Sequence, residues 1–221
     1  MPGSMYELIE LTAVVAGATY GVLLARQHQM DFVGAFTLAL IVAFGGGTLR
    51  DLFLDRHPLF WIREQHYPVI VFCIALVMSL VPRLPKATER FLSVPDALGL
   101  GLFSVVGATA ALEAGTSMFI ASVLGVVTGT FGGVIGDVVC NRVPNLFRTA
   151  PLYATCSFVG CWVMFFLNAI SIRERFAVPF SITVIVVVRL AALRWNWRLP
   201  QAGGEGDLEA MCNDDLPLDL H

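Results

Sequence analysis

In a chain of 221 residues, 57% are hydrophobic, 14% are charged and the mean hydropathy is +0.75. A soluble domain carries about a quarter charged residues, so this composition excludes a water-soluble globule, and the main solvent is lipid. The formal net charge of −3 comes from acidic residues gathered after Gly203; the remainder is close to neutral and slightly basic. It lacks the clustered Lys/Arg and aromatic footprint of a nucleic-acid binder.

Seven apolar stretches follow in order, at about 8–25, 32–54, 68–82, 95–112, 117–140, 152–171 and 178–197. The first has no basic segment before it, and Glu7 and Glu10 precede its apolar run, unlike a signal peptide. The third, from Pro68, would be only about 21 Å long as a helix, short against a hydrocarbon core of about 30 Å. The second and fifth are interrupted, by Phe44-Gly45-Gly46-Gly47 and by Phe131-Gly132-Gly133. Each glycine costs about 1 kcal/mol against Ala in a helix, and an unwound segment in lipid must lie inside protein or against water. The five cysteines, Cys73, Cys140, Cys156, Cys161 and Cys212, show no metal or disulfide spacing and read as small buried residues.

The two glycine regions superimpose at an offset of 86 residues. Gly46-Gly47-Thr48-Leu49-Arg50-Asp51 lies over Gly132-Gly133-Val134-Ile135-Gly136-Asp137, and Asp55-Arg56-His57-Pro58 over Asn141-Arg142-Val143-Pro144. Upstream, Glu10 lies over Asp96, Gly21 over Gly107 and Ala25 over Ala111. With three spans in each unit, an odd number, the second copy enters the membrane from the opposite face. The expected fold is therefore all-α: a transmembrane domain of seven helices over 1–200. Repeat one is about 7–90, repeat two about 93–171, and an added seventh helix about 178–197. The segment 201–221 is expected to be a disordered acidic tail. Counting Arg and Lys on connectors, with Arg50, Arg56, Arg63, Arg173 and Arg175 on one face, gives five against eight. By the positive-inside rule this puts the N-terminus outside and the C-terminus in the cytoplasm.

Inverted repeats with broken helices point to transport. Gly45, Gly46, Gly47, Gly132 and Gly133 are read as kinks lining a path, against the alternative of close helix packing. Asp51 and Asp137 lie one turn beyond the glycines. Two readings stand for them: carboxylates that attract cations, or structural partners of an arginine or cap. Arg50 adjoins Asp51, and helical neighbours do not face each other, so pairing across to Asp137 or another helix is expected. Arg56 and Arg142 read as interface anchors where Pro58 and Pro144 stop the helices, or as pore-mouth residues. Arg189 reads as snorkelling to the interface beside Arg194, Trp195 and Trp197. Glu10 and Asp96 read as acidic vestibules or as exposed helix-start carboxylates. His28, His57, His66 and His221 have no metal-ligand spacing, and no nucleophile with a base appears. Neither an enzyme nor a bound cofactor or metal is expected.

The paired motifs, Phe44 to Asp51 and Gly132-Gly133 with Asp137, in a three-plus-three-plus-one order of spans, resemble the prokaryotic trimeric intracellular cation (TRIC) channels over about residues 5–198. The resemblance implies a homotrimer in the plasma membrane, one pore per subunit, kinked at the glycine motifs and conducting K⁺ and less selectively Na⁺. It implies pore roles for Gly45, Gly46, Gly47, Arg50, Asp51, Gly132, Gly133 and Asp137. The chain departs from the pattern at Gly136, where similar proteins often carry Arg. No TVGYG filter is present, so strong K⁺/Na⁺ discrimination is not expected. The alternative is a carrier of a small solute such as glycine.

Overall fold

The computed structural model describes residues 3–81, 88–147 and 152–198. The expectations for the tail 201–221 and for Cys212 and His221 concern residues outside these, as do three of the eight charges counted on the second face of connectors, Arg83, Lys86 and Arg148. Among the described residues there are eight helices: α1 (Gly3–Gln27), α2 (Phe32–Phe53), α3 (Phe60–Arg63), α4 (His66–Leu80), α5 (Thr88–Glu113), α6 (Met118–Val139), α7 (Ala154–Ala169) and α8 (Glu174–Trp195). Five of them, α1, α2, α5, α6 and α8, are long and apolar enough to cross a membrane, whereas α4 and α7 are shorter apolar helices. The one-turn helix α3 was not anticipated, and α5 and α8 run through Pro95 and Pro179. Prolines are accepted in such helices when neighbours satisfy the carbonyls they release.

The caps carry the repeat into three dimensions. Asp31 and Ser117 are N-caps whose side chains accept from the N–H of Gly34 and Ile120, each saving an orphan donor at a helix start. The chain leaves α1 and α5 through left-handed Gln29 and Gly115, with Met30 and Thr116 donating back to the carbonyls of Ala25 and Ala111. It leaves α2 and α6 through left-handed Asp55 (φ 50°) and Asn141 (φ 53°). There Arg56 N–H returns to Asp51 O at 2.8 Å and Arg142 N–H to Asp137 O at 2.9 Å, a Schellman ending. The helices thus end at Leu54 and Cys140, where the second and fifth apolar stretches end, and the left-handed residues stop them ahead of Pro58 and Pro144. Asp and Asn suit this place because they tolerate positive φ better than other side chains.

The glycine segments are not unwound. Both α2 and α6 are continuous through them, which corrects the expectation of interrupted spans. The glycines instead let the two backbones meet. A Cβ on Gly46 would overlap the carbonyl oxygen of Thr128, and one on Gly132 would overlap that of Val42, reciprocal positions in the two copies.

Helices α1 and α5 form the buried centre and run antiparallel: Tyr6 and Glu7 share a cleft with Glu113, and Gln27 shares another with Ser93. Exchanging α1 with α5, α2 with α6 and α4 with α7 leaves the pattern of packed helix pairs unchanged. The unrepeated helix α8 packs on α5 and α7. Arg26, at the end of α1, donates to the carbonyls of Met78 and Val81 and so closes α4. Large apolar side chains such as Phe53, Val77, Leu80, Phe166, Phe180 and Val187 remain exposed, as a lipid-facing surface requires.

Gly46→Ala and Gly132→Ala are each expected to cost about 1–3 kcal/mol by overpacking, read as a lower unfolding midpoint in detergent. Gly99→Ala is the control, because the nearest atom to its new Cβ is 4.0 Å away; it should leave the midpoint nearly unchanged.

Candidate functional site

Two clefts enter the helix bundle from opposite ends. The first, of about 190 Å³, is lined by Tyr6, Glu7, Glu10, Arg50, Arg56 and Glu113 among others. The second, of about 200 Å³, includes Gln27, Ser93, Asp96, Arg142, Asn145 and Arg189. Glu7 and Ser93, Glu10 and Asp96, Arg56 and Arg142, and Gln27 and Glu113 are equivalent positions in the repeat, so the clefts are two editions of one feature. Between them, in the wall shared by α1, α5 and α6, lies a neck of about 20 Å³ bordered by Gly17, Tyr20, Leu100, Phe103, Gly132 and Gly133. That is room for about one water. Asp96 and Tyr20 border both the neck and the second cleft.

An arginine–carboxylate cluster stands in each cleft. In the first, Arg50 is 3% exposed. Its Nη1 and Nη2 donate to Glu10 Oε1 at 3.2 Å each, and its Nε donates to Asp51 Oδ1 at 2.8 Å. The guanidinium carbon lies 5.2 Å from the Phe60 ring centroid. The pairing with Glu10 on α1 is the expected contact with another helix, while the bond to Asp51 corrects the expectation that the adjacent residues would not pair. Their Cβ atoms do diverge, but the four-bond arginine stem folds back to bring Nε to the carboxylate. Arg50 is also removed from the connector charges, because it lies buried inside α2.

In the second cleft, Arg189 is likewise 3% exposed. Its Nη2 donates to Asp96 Oδ2 at 3.2 Å and its Nη1 to the carbonyl of Leu152 at 2.9 Å. The Tyr153 hydroxyl donates to Asp96 Oδ1 at 3.0 Å, and the Tyr153 ring centroid lies 4.4 Å from the guanidinium carbon. Arg189 therefore points inward and does not snorkel. A buried charge persists in low dielectric only when paired, and Glu10 and Asp96 provide the pairing. They are partners of arginines more than open vestibule charges.

The remaining sequence candidates separate. Gly132 and Gly133 border the neck. Gly46 lies at the helix crossing and Gly47 against the Phe60 ring. Gly45 faces an outer apolar groove with Phe36, Leu40 and Trp61. Asp51 and Asp137 line neither the two clefts nor the neck. They brace the chain after their helices: Asp51 Oδ2 accepts from Phe60 N at 2.8 Å, and Asp137 Oδ2 accepts from Asn145 N at 3.3 Å. The pairing of Asp96 with Arg189 and Tyr153 was missed. The signal for it was the alignment of Asp96 with Glu10 and of Tyr153 with Tyr67.

A family described as glycine transporter matches the chain twice, at residues 7–83 and 93–169, the same offset that relates the caps. A membrane protein of Vibrio cholerae, UPF0126, is 36% identical over 89% of this chain and 82% of its own length. The Escherichia coli inner membrane protein YadS is 34% identical over 87% of this chain and 93% of its own. Among solved structures, the TRIC trimeric intracellular cation channel orthologue from Rhodobacter sphaeroides is 31% identical, with a TM-score of 0.83, over 88% of this chain and 100% of that one. The chain belongs to the TRIC family. A second TRIC cation channel structure, 29% identical with a TM-score of 0.80, covers 90% of this chain and 98% of its own. This TRIC chain is accordingly a multi-pass membrane protein.

The hydrogen bonds of Asp51 set its sensitivity to substitution. Removing one partner of a buried, hydrogen-bonded ion pair costs about 3–5 kcal/mol. Asp51→Ala, which removes one of the two carboxylates on Arg50 and the acceptor of the Phe60 amide while Glu10 still pairs Arg50, is expected to destabilise within that range. Chemical unfolding in detergent measures the loss as a lower midpoint.

Proposed function

We propose that this protein is a cation channel, passing K⁺ with weak discrimination against Na⁺, built as a homotrimer with a separate path in each subunit. The observation that carries this reading is the likeness to the Rhodobacter sphaeroides TRIC channel over the whole of that chain. In this reading seven helices span the bilayer as two inverted three-helix repeats plus α8. The protein is a transporter of ions and not an enzyme, and needs no resident cofactor. It sits in the plasma membrane with its N-terminus outside, so that the second cleft opens to the cytoplasm.

The path runs from the first cleft through the neck to the second, and the small neck describes a closed channel. Gly132 and Gly133 form its wall, with Gly45 and Gly46 setting the crossing that positions it and Gly47 making room for the Phe60 ring. Arg50 acts at the path through Glu10. Asp51 and Asp137 act from behind it, fixing the ends of α2 and α6. Glu7 and Glu113, exposed in the first cleft, attract cations to its mouth.

The carrier reading keeps one specific support, the description of the matching family as glycine transporter. Reconstitution separates the two. Unitary currents in planar bilayers with symmetric KCl support the channel, and saturable glycine uptake by liposomes without such currents overturns it. The paired change Glu7→Gln and Glu113→Gln is expected to move the reversal potential in a KCl gradient toward that of chloride. An unchanged reversal potential removes those carboxylates from ion selection.

A further inference from the structure

Among the buried charges of the first repeat, Arg50 on α2 has no charged equivalent, the corresponding place on α6 being Gly136. A side chain cannot simply be added there, since a Cβ would lie 2.8 Å from Val42 Cγ2. Yet the second cleft holds the same grouping as the first. Glu10 and Asp96, equivalent carboxylates, each meet a guanidinium at 3.2 Å, and each guanidinium rests on an aromatic ring, Phe60 or Tyr153. In the second cleft the arginine comes from α8, the helix with no counterpart in the repeat.

We infer that Arg189 takes over the role left unfilled at Gly136, and that its bonds to Asp96 and Leu152 form a latch closing the second cleft from the neck. This deepens the channel reading and rests on it. The position is what makes the pair a latch. Asp96 borders both the cleft and the neck, and Tyr153, which holds the other oxygen of Asp96, borders the neck. A cation leaving the neck toward this cleft meets a guanidinium whose charge Asp96 already balances. Passage therefore requires Arg189 to swing away from the junction and leave Asp96 facing the path. Because Arg189 also bonds Leu152 O, just ahead of α7, release removes one of the two ties that Leu152 makes to α8 and the residues just after it, leaving the bond from Leu152 N–H to Trp197 O at 2.9 Å.

The test reads access to the neck and needs no current. Leu100→Cys puts a thiol in the neck, and a water-soluble cationic thiol reagent labels the full-length protein in detergent, with the label at position 100 quantified by peptide mass spectrometry. Arg189→Gln and Asp96→Asn are each expected to speed labelling about tenfold, equivalent to about 1.4 kcal/mol of latch strength. The combination should do no more than either alone, and Arg189→Lys, which keeps the charge, should fall between.

Leu38→Cys, at a buried position that lines neither the clefts nor the neck, reports general loosening. Labelling at position 100 that is unchanged, additive in the double variant, or matched by an equal rise at position 38 overturns the latch. If the wild type passes no current while Arg189→Gln still opens the neck, the channel reading fails and the latch stands.

Discussion

The structure depends on the contact between two backbones. Where α2 crosses α6, Gly46 faces the Thr128 carbonyl and Gly132 faces that of Val42, with no space for a Cβ on either. In lipid, where apolar burial between helices gains little over contact with acyl chains, close backbone approach is a main source of helix association. The crossing also fixes what lies one turn further along each helix. Arg50 and Asp51 follow Gly46 and Gly47, and Asp137 follows Gly132 and Gly133, so the glycines decide where the charges point as well as how the helices meet. Longer residues at the crossing would push α2 and α6 apart and move the Arg50–Glu10 contact with them.

Much of this was legible in the residues. The offset of 86 residues, found from the Gly-Gly, Asp, Arg and Pro spacings, returns in the caps Asp31 and Ser117 and in the left-handed residues Asp55 and Asn141. Short-range patterns are readable because caps depend on neighbours within four residues. What could not be read was set by contacts distant in sequence. Whether consecutive glycines unwind or pack is decided by the facing helix, and here the facing helix is another glycine segment. The inward turn of Arg189 is decided by Asp96, 93 positions away in sequence. The pairing of Arg50 with Asp51 depended on a side-chain conformation that helical periodicity does not specify.

The two halves have kept different things. Their caps, glycine crossing and cleft positions correspond, while their charged clusters reach the same arrangement by different means. In the first cleft the arginine belongs to the repeat, and in the second it is supplied by α8. A carboxylate in low dielectric needs a cation close by, and that demand is met without specifying which helix provides it.

The placement of Arg189 bears on whether either half could stand alone. Two copies of the second half, cut before α8 and paired with each other, would bury Asp96 twice with neither Arg50 nor Arg189 at hand, and such an assembly would be poorly stable. Two copies of the first half would each bring an Arg50. With Gly136 at the place where the first half carries Arg50, the second half relies on α8, and the chain does not divide into two self-sufficient parts.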